Sequence, residues 1–369
     1  MSISERFGRL KDNLRHRWMY RSDGRTAQQQ SKASGAGAAS SKPASPQSSG
    51  GKFAWLKIPK FSWAGLRSSA RRVGLGTVIF LLAYYLIGGW WINTIDDDAD
   101  FRPVATDQIT GGSTAVSMMA ALIDREVNQN SWTANDPFFV PSVWLDNMPN
   151  FQQGVMSALA RFGFELQDQL GRTRGSSQVD PDLQIVSGLL QYPGDTWYMD
   201  LSSSLLPVAS AESQYRKARR SLLNYNERLA KGDATFERRG DNLMATLDRI
   251  ALDLGSSSAV LADQIEDGSY LIDMEADDTF YNVKGQVYAY YLLLTALGKD
   301  FEKLIAEREL NTAWLQMLDS MRTAALLQPM IIVNSAPDSQ LLPSHLSAQG
   351  FYLLRARTQL REITNILLK

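Results

Sequence analysis

One uninterrupted apolar run, residues 73–92, constrains this chain more than any other feature. It reads VGLGTVIFLLAYYLIGGWWI, 20 residues without a charge. As a helix rising about 1.5 Å per residue it is roughly 30 Å long, the thickness of a bilayer's hydrocarbon core. Arg67, Arg71 and Arg72 precede it, and Asp96, Asp97, Asp98 and Asp100 follow. The expectation is one membrane-spanning helix with a large body attached to its C-terminal end.

Charge divides at the same place. Residues 1–72 hold 15 Lys and Arg against 3 Asp and Glu, a net of +12. The chain beyond the run holds 23 against 36, a net of −13. Basic residues beside a span stay in the cytoplasm, so the rule places the arm inside and the acidic body across the membrane. Trp90 and Trp91 end the run, where indoles favour the headgroup layer. A cleavable signal peptide does not fit, because the run is long, starts after 72 residues and lacks a small-x-small site behind it. Residues 285–297 are too short to span, and residues 323–333 contain Gln328 and Pro329; both read as core segments.

The chain has no cysteine, which removes disulfides and thiolate metal sites. None of the body's Asn residues heads an Asn-x-Ser/Thr sequon, which favours a bacterial periplasm over a glycosylating lumen.

The pattern divides the chain into six parts. Residues 1–21 form a basic amphipathic segment, with Ile3, Phe7, Leu10, Leu14 and Trp18 on one helical face. A membrane surface is the preferred partner for that face, ahead of a protein, with nucleic acid last. Residues 22–51 are a linker rich in Ser, Ala, Gln and Gly that cannot bury enough apolar surface to fold. Residues 52–72 interleave aromatics with cations, an anchor on anionic lipid at the cytoplasmic face. The span 73–92 follows, then an acidic linker, 93–102, read as solvated. The body is residues 103–369.

The body is helical by pattern, as one bundle or two subdomains. Gly111, Gly112 and Ser113 precede a helix reaching about Asn128. Asn150 with Gln153 resembles a capping box opening a helix that Gly171 closes. Asp180 and Pro181 form an N-cap and first-turn proline. Apolar residues at heptad-like spacing run from Tyr215 to Leu229 and from Phe236 to Ile265, with a Gly232 turn between them. That reads as an antiparallel helical hairpin. Further helices are expected over about 277–307, 311–327 and 344–368. The fold class is all-α: a single N-terminal transmembrane helix and a large helical-bundle extracytoplasmic domain.

The richest polar stretch runs from Trp132 to Asp182. Arg161, Glu165, Asp168 and Arg172 lie at spacings of four, three and four, within about 60° on an ideal helix. Two carboxylates and two guanidiniums there suit acid–base work on a glycan or capture of an anion. The plainer reading is a surface ladder of ion pairs, each worth about 0.2–0.5 kcal/mol. Trp144, Asp146 and Arg174 complete the candidate ligand or partner site. Arg174 belongs to GRTRGSS, which has the makings of an anion nest but lacks a P-loop's Lys-Ser/Thr ending. The body holds one histidine, His345, and no recognisable catalytic, metal or cofactor motif.

The stretch containing DNMPNFQQG (146–154) and GRTRGSS (171–177) resembles a family of uncharacterised proteobacterial inner-membrane proteins, domain of unknown function 2333. The resemblance implies an inner-membrane location and no activity. Together these features predict a single-pass inner-membrane protein, N-terminus cytoplasmic and body periplasmic. Its expected role is non-enzymatic, as an envelope interaction or scaffold protein, with envelope proteins or a second copy of itself as partners and no cofactor or metal. The alternative is a glycan hydrolase or a glycan- or anion-binding module using Glu165, Asp168, Arg161 and Arg172.

Overall fold

The computed structural model describes residues 63–92, 94–137, 139–141, 146–172, 178–199, 206–267, 273–337, 339–340 and 342–369. Among these residues the chain is all-α, and a lone bridge between Asn334 and Ser344 is the only β pairing. The basic segment, the linker and the juxtamembrane anchor up to residue 62 lie outside the described residues.

The first helix, α1 (Trp63–Ile92), contains the apolar run. Its stretch Arg71–Ile92 is long and apolar enough to cross a membrane. Then come α2 (Thr114–Asp124), α3 (Asn147–Glu165), α4 (Pro181–Leu189), α5 (Ala211–Lys231), α6 (Gly240–Asp267) and α7 (Met274–Asp300). Short α8 (Glu302–Glu307), α9 (Asn311–Ala325) and α10 (His345–Leu367) complete the body. Single π-turns extend α2 over Arg125–Gln129 and α3 over Leu166–Leu170.

Helix α7 is the centre of the bundle. It packs on α3 most extensively, and on α9, α2 and α6. Val287, Tyr288, Ala289, Tyr290, Leu292, Leu293 and Leu294 are all buried, covering every direction around the helix. A helix apolar all round belongs inside a bundle, so residues 285–297 are core, as their sequence indicates. Close packing on α3 depends on two glycines. A Cβ at Gly154 would overlap the Asn282 carbonyl, and one at Gly285 the Phe151 carbonyl.

Several helix ends follow their sequence signals. Asp180 caps α4, accepting from the Asp182 and Leu183 N–H groups at 3.0 and 3.4 Å, with Pro181 behind it. Gly232 ends α5 in the left-handed region at φ 84°, where a side chain would be strained. The capping box does not form. Helix α3 begins three residues earlier, at Asn147, and the Asn150 side chain instead donates to Asp278 Oδ1 at 2.7 Å.

The predicted hairpin is also absent. Helix α5 packs on α4 and α2, whereas α6 packs on α10 and α7. The connection 232–239 diverts the chain. Glu237 N–H bonds the Leu170 carbonyl at 2.7 Å, and Phe236 enters the core beside Phe301. A heptad stripe shows that a helix has an apolar face, not which neighbour covers it. Here α4 and α2 cover α5, while α10 and α7 cover α6.

In the acidic linker Asp96, Asp98 and Asp100 are exposed, but Asp97 is buried and anchored. The Asp97 and Lys284 side chains are 11% and 1% exposed, and Lys284 Nζ lies 2.7 Å from Asp97 Oδ2. Lys284 also donates to the Leu327 carbonyl, and Gln328 Nε2 donates to both Asp97 oxygens, all at 2.7 Å. Burial depresses the Lys284 ammonium, and Asp97 works against that. One residue on, the Asp98 carbonyl accepts the Tyr288 hydroxyl at 2.6 Å. Tyr288 in turn accepts from Arg125, which is fully buried between the rings of Phe101 and Tyr288 at 4.8 Å from each. Burial alone would lower Arg125, but the Glu126 carboxylate bonded to it outweighs this and holds the guanidinium above its usual range. The chain leaving α1 is thus tied to α7 by two buried charged groups.

Candidate functional site

Two grooves open along α3 and meet at Arg161. The larger, about 470 Å³, is lined by Gln153, Arg161 and Phe164 of α3, Tyr192 behind α4, Tyr215 of α5 and Arg249 of α6. The second, about 330 Å³, lies between α3, α6 and α7, with Asn150, Asp253, Ser257, Asp278 and Gln286 on its walls.

Arg161 is half-exposed and bonds Asp253 Oδ1 at 2.8 Å. The other Asp253 oxygen accepts the Tyr290 hydroxyl at 2.8 Å from inside the core. Asp253 is buried, so the pair fixes the guanidinium on the rim while its second face stays open to both grooves. Burial first, then the Asp253 charge, pushes the Tyr290 hydroxyl far above its ordinary range. It is a permanent donor at physiological pH, not an acid. Glu165 pairs with Arg249 at 3.4 Å. Burial raises the Glu165 carboxyl, and the Arg249 charge partly offsets this.

The four residues expected on one face therefore part company. Arg161 and Glu165 reach across to α6, while Asp168 and Arg172 pair with each other at 3.6 Å on the surface. The π-turn over Leu166–Leu170 causes the split, because an i→i+5 turn advances the chain by less rotation per residue than an α-turn. Of the four, Arg161 alone lines these two grooves, while Arg172 lines a separate one of about 300 Å³ with Asp180 and Arg228. Trp144 and Arg174 lie outside the described residues.

Asp146 stands at the N-terminus of α3 beside Asp277 and Asp278 of α7. Burial, reinforced by Asp146, pushes Asp277 up to about 6. Burial, Asp146 and Asp277 together push Asp278 up to about 7. Among the described residues no group of three or more His, Cys, Asp or Glu has the arrangement to hold a metal ion.

The DNMPNFQQG motif now has a physical reading. Asn150 bonds Asp278, and Gly154 admits α7. Gln152 is fully buried and satisfied: its oxygen accepts from Thr133 N and Oγ1 at 3.0 and 2.9 Å, and its amide donates to the Glu126 and Ser131 carbonyls. Most of the motif builds the α3–α7 seam, and Gln153 alone faces the larger groove.

A family model for uncharacterised proteins conserved in bacteria, domain of unknown function 2333, matches residues 66–274. The chain belongs to this family. No curated protein and no solved structure matches it. The family match runs from α1 to the start of α7, so it includes Asp97, Arg161, Arg249 and Asp253. It stops before Lys284 and Tyr290, which hold two of these residues in place.

Sequence reasoning missed Arg249, Asp253, Tyr192 and Tyr215 in the grooves. It also missed the buried Lys284 and Arg125. A lone cation inside the apolar stretches TAVSMMAALIDR and FYNVKGQVYAYYLLL was the available signal, because a buried charge implies a partner. The groove residues carried no such signal, since they come from separate helices with ordinary surface spacing.

Proposed function

We propose that this is a single-pass inner-membrane protein of the bacterial envelope. Its basic arm would face the cytoplasm, and its helical body would be a non-enzymatic interaction module in the periplasm. The exposure of α1 carries this reading. Val73, Val78, Phe80, Leu82, Leu86 and Ile87 are each more than half exposed, on all sides of the helix. An apolar surface that large is unfavourable in water and needs lipid around it. The net charges of +12 before and −13 after the run support the orientation.

Pairing of Glu165 with Arg249 and of Asp253 with Arg161 supports a contact surface over a hydrolase, because each carboxylate is already engaged. The test is a pair of fusions after Lys369. Alkaline phosphatase there should be active and a cytoplasm-maturing fluorescent protein dark. The reverse pattern overturns the orientation.

A second reading has one observation in its favour. The larger groove combines Arg161 and Arg249 with Phe164, Tyr192 and Tyr215. Guanidiniums beside aromatic faces suit an anionic glycan or an acidic peptide segment. Photo-crosslinking from Gln153 in intact cells tests it: a captured partner that is lost on Arg249→Ala supports the groove as the contact surface, and unchanged capture removes it.

A further inference from the structure

The geometry points to a lipid-docking surface on the body. Loop 139–141, which lies against the outer end of α1, and the tip 330–331, whose stem is bonded to Asp97, seat the body in the outer leaflet of the bilayer that α1 crosses. This rests on the membrane-spanning reading of α1.

The first observation is a covered stripe at the end of the span. Tyr85, Gly88, Gly89 and Ile92 are partly or fully buried, while Leu86, Ile87, Trp90 and Trp91 on the other sides stay exposed. The spacing i, i+3, i+4, i+7 defines one helical face. Loop 139–141 lies against it. The Tyr85 hydroxyl donates to the Phe139 carbonyl at 3.4 Å, and Gly88 lacks the Cβ that would press on Pro141. Tyr85 precedes Ile92 by two helical turns, about 10 Å along the axis. A loop level with Tyr85 therefore sits about 10 Å below the outer end of the span. That is the depth at which interfacial segments rest. Phe139 is 53% exposed there.

The second observation is the 330–331 tip. Met330 is wholly exposed and Ile331 is 71% exposed, while the next residue, Ile332, turns back into the core. Residues 323–333 contain no charge. Reading this segment as core from its sequence holds at Ala324, Ala325 and Ile332 and fails at Met330 and Ile331. The tip is not free to wander. Gln328, two residues before Met330, is bonded to Asp97, and Leu327 to Lys284. Asp97 follows the last residue of α1 by only five positions, at most about 18 Å of extended chain. The Asp97 clamp thus holds two exposed apolar side chains at the membrane-facing end of the body.

A bilayer is the occupant that needs no further partner. It already surrounds α1, and it is continuous with the lipid in which Leu86 and Ile87 lie. The rigid Asp97–Lys284 tie would then set the height of the body above the membrane, with Phe139, Met330 and Ile331 as its feet.

The chain has no cysteine, so single thiols report depth without background. Full-length Met330→Cys, Ile331→Cys and Phe139→Cys, each carrying a nitrobenzoxadiazole label, would be reconstituted in phosphatidylethanolamine–phosphatidylglycerol vesicles. Leu82→Cys marks mid-span, and Leu315→Cys, an exposed apolar position on α9 about three helical turns before Leu327, marks water. The expected result is blue-shifted emission at positions 330, 331 and 139, quenched by lipid spin-labelled near the headgroup. Leu82→Cys should be quenched by deeper spin labels, and Leu315→Cys by neither. Quenching at 82 with 330, 331 and 139 behaving like 315 overturns the docking surface and leaves the span standing. A blue shift at 330 that spin-labelled lipid does not quench also overturns it, because a second copy of the chain would then be the cover. No quenching at 82 removes the span itself.

Discussion

Asp97 Oδ2 and Lys284 Nζ lie 2.7 Å apart, joining the chain just beyond α1 to the middle of the central helix α7. A flexible tether would leave the body free to move relative to α1. This pair, with Gln328 on the same carboxylate and Tyr288 on the next carbonyl, ties the chain just beyond the apolar helix to the centre of the body.

Breaking the pair should be costly and non-additive. Asp97→Ala leaves a buried ammonium with only the Leu327 carbonyl, and removing one partner of a buried pair costs about 3–5 kcal/mol. Lys284→Met removes the other charge and leaves Asp97 its Gln328 donor, so its cost should be smaller. The double variant should cost clearly less than the sum of the two. Urea denaturation of the full chain in detergent provides the cycle, and strict additivity would show that the two groups do not interact.

The Asp146, Asp277 and Asp278 cluster makes stability depend on pH in an unusual direction. Both α7 carboxyls are raised, Asp277 to about 6 and Asp278 to about 7. A carboxyl raised in the fold contributes stability below its unfolded value, near 4, and loses it as pH rises through the folded value. The protein should therefore become less stable between about pH 4 and pH 7 on this account. Asp278→Asn keeps the contact to Asn150 and removes the titration. Its Tm should exceed that of the parent at pH 8 and match it at pH 4, and an equal difference at both pH values would refute the assignment.

Within the four-residue face, the sequence suggested one ladder and the structure separates two kinds of pair. Asp168 is 59% and Arg172 34% exposed, so Asp168→Asn should cost under about 1 kcal/mol. Arg161→Ala strands a buried Asp253 with only Tyr290, and an under-satisfied buried acceptor costs about 1–3 kcal/mol. Thermal melts of both variants decide the matter. Equal, small effects would mean that the Arg161–Asp253 contact is as loose as a surface pair.

Much of the architecture was legible because its causes are local. The apolar run, the Asp180–Pro181 start and the Gly232 stop each depend on residues adjacent in sequence. Partner choice was not legible. Heptad spacing at Tyr215, Leu222, Leu243 and Leu247 announces buried faces, and all four are buried, but α4 and α2 cover one helix and α10 and α7 the other, rather than the two covering each other. The acidic run hid a buried residue for the same reason: Asp97 differs from its neighbours only through Lys284, 187 positions on. At the candidate site the 100° rule failed at a π-turn, which no residue pattern near Leu166 announces.

Gly154 and Gly285 test the seam on which the grooves depend. Both lie within helices, so conformational freedom is not what they supply. Alanine is the better helix former by up to about 1 kcal/mol, and propensity alone predicts that Gly→Ala stabilises. Gly188 of α4, with nothing within 4 Å of a built Cβ, should behave that way. At Gly154 the added methyl meets the Asn282 carbonyl, and backbone inside two packed helices cannot rotate aside as a side chain would. Helices α3 and α7 would have to separate, and overpacking of this kind costs about 1–3 kcal/mol or more. That exceeds the propensity gain, so Gly154→Ala should lower the melting temperature while Gly188→Ala raises it. Separation would also break the Asn150–Asp278 bond at the start of the seam, so the stabilising effect of Asp278→Asn at pH 8 should shrink in the Gly154→Ala background. A Gly154→Ala protein that melts at or above the parent would show that α3 and α7 do not touch through their backbones.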